Sequence, residues 1–316
     1  MDLNLRPSAT VAAGEGSRLM YGTVEESTGL GLPNRVDSRF RQVIEVRNAG
    51  GDRAYSVTAQ LQRRFANGTE FGASYTYSRS RDRLSSNADN TDGDVNITAV
   101  DGSLDHRNLA TALWNVPHRI TFLATANLPF RFRGALSYEG LSGTPFTYTI
   151  AGDANGDGFW EDDVMYVPAH PMPGGDVELV VADESTGQFL PAPSAEYSAL
   201  AKAIGDQPCL RTQRGRIMRR NSCRTPWSNH ADARLSRMFS TFQGHNLEFM
   251  LDVFNVLHLI DSDWGQVRGA DGNLLELVGY DQARGRGVYH RVDSAREPID
   301  QDASRWRMQL GARYSF

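Results

Sequence analysis

Alternation with a period of two residues is the dominant pattern along the chain. In Ser304–Phe316, Trp306, Met308, Leu310, Ala312, Tyr314 and Phe316 fall on one side. Arg305, Arg307, Gln309, Gly311, Arg313 and Ser315 fall on the other. Successive side chains of an extended strand point to opposite faces, so the segment predicts a strand with one apolar and one polar face. In Ala54–Phe65, Tyr55, Val57, Ala59, Leu61 and Phe65 alternate with Ser56, Thr58, Gln60, Gln62 and Arg64. In Glu70–Ser78, Phe71, Ala73, Tyr75 and Tyr77 alternate with Gly72, Ser74, Thr76 and Ser78. Between these two runs lies Asn67-Gly68, a strong hairpin signal. Ile120, Phe122, Ala124, Ala126 and Leu128 share a face, and Phe132, Leu136 and Tyr138 follow a turn at Pro129–Arg131. Ala231, Ala233, Leu235 and Phe239 form the next stripe; a turn near Thr241–Gly244 leads to Leu247, Phe249, Leu251, Val253 and Leu257. An earlier strand is expected over Phe40–Arg47.

These segments amount to about eight strands. Their connections alternate between short turns, near 66–69, 129–131 and 241–244, and long loops, near 79–117, 151–228 and 258–303. Short turns on one side and long loops on the other characterise outer-membrane barrels, where the turns are periplasmic and the loops extracellular. The expected fold is therefore all-β, an antiparallel transmembrane β-barrel segment over residues 36–316, in the outer membrane of a Gram-negative-type bacterium and in contact with its lipid. Residues 1–35 show no strand pattern and are expected to be a poorly defined remnant of barrel or loop. A soluble β-sandwich would also alternate, but its polar face would be charged and rich in Lys. Here that face carries Ser, Thr, Gln, Gly and Arg, as suits a hydrated lumen.

Composition permits this reading without demanding it. The 316 residues are 40% hydrophobic and 22% charged, with a mean hydropathy of -0.45. No run approaches the roughly 18 apolar residues of a membrane helix. A barrel strand turns only half its residues to lipid, so a polar average is no obstacle. The net charge of -5 gives no drive toward nucleic acid, and no nucleic-acid partner is expected. The N-terminus Met1-Asp2-Leu3-Asn4-Leu5-Arg6 shows neither the basic nor the apolar part of a signal peptide, so a truncated gene start or a fragment is expected.

Three local features carry candidate chemistry. Asp153-Ala154-Asn155-Gly156-Asp157-Gly158 places oxygen ligands at positions 1, 3 and 5 and Gly at 6, as in loops that wrap Ca²⁺. Asp162 or Asp163 and the Phe159 carbonyl could complete the set; position 12, usually Glu, is Val164. The bland alternative is a turn rich in Asx residues. Cys209 and Cys223, the only cysteines, are expected to form a disulfide outside the cell. Around them, Arg211, Arg214, Arg216, Arg219 and Arg220 could contact lipopolysaccharide or an anionic ligand, or could simply form a solvated loop face. No nucleophile elbow, zinc-protease, phosphate-loop or C-x-x-C motif occurs, and the seven histidines lack metal-ligand spacing, so no enzyme is expected.

Longer phrases resemble a known family. Gln309, Gly311, Tyr314 and the terminal Phe316 fit the C-terminal assembly signal of outer-membrane proteins. That resemblance implies delivery to the barrel assembly machinery. Leu247–His258, with Asp252-Val253-Phe254-Asn255, resembles the penultimate barrel segment of TonB-dependent receptors. Thr225–Asn229 with Asp232–Ser236, Gly72–Ser78 with Asp82, and Ser142–Phe146 resemble further strands of the Oar-like branch. The resemblance covers most of residues 52–316. It implies an unclosed part of a 22-stranded barrel, the shell of a receptor for energised uptake of a scarce extracellular ligand. Siderophores, cobalamin, glycans and peptides are the ligand classes it implies. Energy would come through the TonB complex acting on a plug not present in this chain. A structural or adhesion barrel without transport is the alternative function, and a secreted Ca²⁺-binding sandwich a third.

Overall fold

The computed structural model describes residues 2–86, 91–160, 162–183, 185–270, 272–292 and 298–316. Seven long strands form a single antiparallel meander: β1 Arg53–Arg64, β2 Glu70–Asp82, β3 His118–Leu128, β4 Phe132–Leu141, β5 Ser228–Ser240, β6 Asn246–Phe254 and β7 Arg307–Ser315. Each pairs with its neighbour in sequence, and the two-residue strand Ala110–Thr111 adds to the end of β2. The sheet is not closed: β1 and β7 lie at opposite edges. The three short turns share one end of the sheet with the C-terminus. Gly68 at φ 81° makes the first; Phe130 and Arg131, and later Gln243, take left-handed backbone in the other two.

The apolar stripes lie on one face throughout, because register keeps them aligned from strand to strand. Leu61 stands opposite Ala73, Ala73 opposite Phe122, and Phe122 opposite Tyr138. Likewise Leu235, Leu251 and Leu310 stand side by side. Leu61 and Leu310 are 61% and 83% exposed, a state that only lipid makes favourable for so many neighbouring apolar groups. Aromatic rings band this face at both ends. Toward the long loops, Tyr55 meets Tyr77 and His118 stacks on Trp227. Toward the short turns, Phe65 meets Phe71 and Phe239 meets Phe249. Ten residues separate Tyr55 from Phe65, about 33 Å of strand, or about 25 Å across a bilayer at the usual barrel tilt. Arg63 and Arg237, on the same face at the turn end, lie over the rings of Phe65 and of Phe132 and Phe239. Long stems of this kind keep an apolar body in lipid and a charged head at the interface.

The largest buried core is not in the sheet. It is built from the N-terminal segment and the long connections, and includes Met20, Val24, Tyr148, Ile150, Met165, Leu179, Leu200, Met218, Leu275 and Tyr289. At its centre is a five-stranded mixed sheet in the spatial order Thr149–Ala151, Asn273–Asp281, Arg286–Arg291, Glu178–Ala182, Phe189–Pro191. Helix Ser194–Asp206 covers it with Tyr197, Leu200, Ala203 and Ile204, spaced three, three and one along one stripe. The hairpin of Gly22–Val24 and Gly31–Pro33 closes another side. The membrane sheet thus carries a folded extracellular unit.

Two expectations are corrected here. Residues 2–35 are not a poorly defined remnant, since Met20, Tyr21 and Val24 are buried in the extracellular unit. Phe40–Arg47 is not a strand of the membrane sheet. Its backbone is taken by the N-terminal segment instead: Leu3 N donates to Val43 O, and Val43 N to the Asp2 carboxylate. The expected loops at 79–117, 151–228 and 258–303 are connections, but they fold into the unit just described; residues 87–90, 161, 184, 271 and 293–297 of them lie outside the described residues.

Candidate functional site

The opposite face of the membrane sheet is mostly polar. A cavity of about 500 Å³ lies against it, bordered by Gln60, Ser74, Thr121, Ser137, Arg234 and Asp252, and by the apolar Leu123 and Phe254. Hydroxyl pairs run across the strands, Thr58 with Thr76 at 2.9 Å and Ser74 with Thr121 at 2.7 Å. Ion pairs Arg64–Glu70, Arg119–Glu139 and Arg234–Asp252 bridge neighbouring strands on the same face. Such cross-strand pairs are favourable where water reaches them and costly in lipid. The arrangement suits a wet lumen, in which these groups can contact polar solutes.

The disulfide segment lies in the extracellular unit. Cys209 and Cys223 are bonded, with Cα atoms 5.2 Å apart. The five arginines near them have different fates. Arg216 and Arg219 are exposed and flank a small cleft beside Cys209. Arg211 is exposed and reaches the Gly205 carbonyl, while Arg214 donates to the Ala169 and Ala201 carbonyls. Arg220 is turned inward and is 3% exposed. It donates to Asp82 O and its carboxylate and to Ser85 Oγ. Arg220 is therefore a structural tie and not a surface contact for an anionic ligand, a correction to the expectation from sequence. A guanidinium this deep requires a carboxylate beside it.

The acidic loop is buried under the Gly22–Pro33 hairpin. The Asp153 carboxylate accepts from Gly156, Asp157 and Gly158 backbone N–H groups at 2.7–3.0 Å. Asn155 Oδ1 accepts from Asp157 N, and Asp157 Oδ1 from Phe159 N. Gly156 and Gly158 hold the loop with φ of 73° and 90°, the left-handed region that glycine enters freely. Close packing excludes side chains above it. A methyl group on Gly22 would lie 2.4 Å from Gly156 O, and one on Gly31 would lie 1.8 Å from Asp153 Oδ2.

The two aspartates that follow differ sharply. Asp163 is saturated: it accepts from Ala154 N, Asn155 N, Asn155 Nδ2 and, at 3.1 Å, Arg18 Nη1. Asp162 is 0% exposed, and no described residue donates to either of its carboxylate oxygens. Burial, reinforced by neighbouring carboxylates, pushes Asp153 up to about 7 and Asp157 up to about 8. Asp162 is held well above the usual carboxylate range by burial and by Asp157, whereas for Asp163 burial is opposed chiefly by Arg18. Among the described residues, no three acidic, histidine or cysteine side chains are already gathered at metal-ligating spacing. Sequence reasoning missed the surrounding network. Arg18 also pairs with Glu15, and Glu15 accepts from Gly287 N and Tyr289 Oη. Those partners lie 272 and 274 residues away, and no local pattern announces them.

At the far end, β7 pairs along its length with β6. Tyr314 hydrogen-bonds His245 at 2.6 Å, and Phe316, 97% exposed, lies beside both rings. Gln309 stands opposite Asp252 and Gly311 opposite Met250.

An antiparallel meander with a girdled apolar face, a mostly polar opposite face, short turns at one end and long connections at the other defines a transmembrane β-barrel wall. The chain belongs to the outer membrane beta barrel domain family, whose model matches residues 2–259, and its location is the bacterial outer membrane. No curated protein and no solved structure gives a match.

Proposed function

We propose that the chain is the barrel portion of a TonB-dependent outer-membrane receptor, taking up a scarce ligand through a wide lumen. The observation that carries this reading is the sheet of seven long strands whose two edges do not meet. Backbone groups unpaired in lipid are very costly, so further strands must complete the wall. A larger ring gives the polar face a lumen wide enough to need a plug. The phrases at 72–78, 225–236 and 247–258 support the Oar-like branch. In this reading the plug and the TonB complex are partners supplied from outside the chain, the barrel assembly machinery inserts it, and no catalytic step belongs to it. The folded extracellular unit also favours the second reading, an adhesion barrel that binds partners and passes nothing.

Uptake assays separate the two. Strains lacking this protein, or lacking TonB, are compared with wild type for uptake of labelled ferric siderophores, cobalamin, oligosaccharides and peptides. The transport reading expects one ligand to be lost equally in both strains. Retention of all four classes in the strain lacking this protein, with loss of surface attachment, would replace it with the adhesion reading.

A further inference from the structure

Acidic groups outnumber basic ones around the buried loop. Glu15, Asp153, Asp157, Asp162 and Asp163 are all nearly or fully inaccessible to solvent. Arg18 and Arg107 face them from neighbouring segments, and Arg35 lies against Gly158. The five carboxyl groups outnumber these three guanidinium groups. Arg18 is spent on Glu15 and Asp163. Arg107 gives its hydrogen bonds to the Thr98 and Val95 carbonyls, so it offsets Asp162 only at a distance. Isolated buried carboxylates are strongly disfavoured, and both Asp162 oxygens have no donor among the described residues. An unpartnered, fully buried carboxylate beside Asp157 marks where a cation belongs.

We infer that this loop binds one Ca²⁺ through Asp153, Asn155, Asp157 and Asp162, with the Phe159 carbonyl, and that the ion locks the Gly22–Pro33 hairpin onto the extracellular unit. Hard oxygen donors from a turn with left-handed glycines at positions 4 and 6 suit Ca²⁺, which accepts six to eight oxygens in flexible geometry. Asp162, at position 10 of the loop, takes the part of the missing acidic residue at position 12. Asp163 is excluded from the ligand set, because Arg18 and three loop donors hold it. The carboxylates are not gathered at ligating spacing beforehand, so the inference requires them to move inward when the ion binds. The hairpin then rides on the closed loop, through Gly22 against Gly156, Gly31 against Asp153, and Tyr21 N on Asn155 O at 2.8 Å.

The test uses the intact protein in detergent. Calorimetric titration with CaCl₂ is expected to give one saturable site with Kd of about 0.1–1 mM, typical of extracellular modules, and Mg²⁺ should bind at least about tenfold more weakly. Trypsin cleavage after Arg18 and Arg35 should rise in EGTA and fall when Ca²⁺ is restored. Asp162→Asn and Asp157→Asn should each weaken Ca²⁺ binding at least tenfold, and Asp281→Asn should not. The absence of a saturable Ca²⁺ signal in the wild-type protein, or cleavage at Arg18 and Arg35 indifferent to Ca²⁺, overturns the inference. Binding by Asp162→Asn at wild-type strength overturns the ligand assignment. The wild-type protease arm needs no variant, so a variant that fails to fold does not decide the question.

Discussion

Arg220 places its Nη2 2.8 Å from Asp82 Oδ1, joining residues 138 apart in the chain. Asp82 ends the membrane strand β2, and Arg220 belongs to the disulfide segment of the extracellular unit. The pair is buried on both sides, at 2% and 7% side-chain exposure. It is therefore a pin between two bodies that differ in solvent: one stands in lipid and the other in water.

Removing the pin should loosen the upper body alone. Arg220→Ala leaves Asp82 buried without its cation, a loss of about 3–5 kcal/mol in comparable sites. The expected result is a lower urea midpoint for the near-ultraviolet circular dichroism of the extracellular unit. The heat-modifiable gel mobility that reports barrel integrity should stay unchanged. Exposed Arg219→Ala should change the stability of the unit by less than about 0.5 kcal/mol.

The disulfide closes a loop between positions 14 apart in sequence. Replacing both Cys209 and Cys223 by Ser should cost the extracellular unit about 3 kcal/mol by loss of loop constraint in the unfolded chain. Unfolding of the reduced wild-type protein should coincide with that of the double variant. If reduction leaves the midpoint in place, the segment is held by its packing and not by the bond.

Gly31→Ala tests the fit of the hairpin on the acidic loop. The added methyl would lie 1.8 Å from Asp153 Oδ2, so either the hairpin or the hydrogen-bonded Asp153 side chain must shift. A destabilisation of about 1–3 kcal/mol is expected for such overpacking. Gly174, with open space around its Cα, is a control only for crowding, because its φ of 75° strains alanine.

The two faces of the membrane sheet should tolerate charge differently. Leu61→Arg puts a cation on the apolar face, where about 2–4 kcal/mol is lost near the bilayer centre. Ser74→Arg points to the opposite, mostly polar face and should assemble at wild-type levels. The measurement is the fraction of protein that reaches the outer membrane in heat-modifiable form. Equal assembly of the two variants would reverse or erase the face assignment.

Phe316→Ala probes the C-terminal pattern. The side chain is 97% exposed, so its loss should leave the stability of assembled protein almost unchanged. If the terminal aromatic is read by the assembly machinery, membrane insertion in cells should fall severalfold while unfolding of the assembled fraction is unaltered. Insertion at the wild-type rate would reduce Phe316 to one ring of the lower aromatic band.

The membrane strands were legible because each obeys a local rule. Tyr55 to Phe65 alternates with the single exception of Arg63, and Asn67-Gly68 marks the turn. Phe40–Arg47 also reads as a strand, though with Gln42 and Val43 out of phase, yet its backbone is captured by Leu3 and Asp2. Period alone cannot reveal which partner wins a hydrogen bond. The extracellular unit escaped notice for a related reason. Most of its strands are short, two of its pairings are parallel, and its segments come from four distant parts of the chain. The acidic loop was readable as a motif from Asp153 to Gly158. The distinction between Asp162 and Asp163 was not, because it depends on Arg18, which is 145 residues away from Asp163.

That extracellular core has a consequence for the order in which the molecule is made. Glu15 meets Tyr289 across 274 residues, and the segments between them cross the bilayer repeatedly. In the assembled molecule these contacts require both segments to stand on the same side of the bilayer, with the intervening hairpins inserted between them. Consolidation of the outer body thus has a direction, and its completion reports that the strands β1–β6 lying between these two segments are in place.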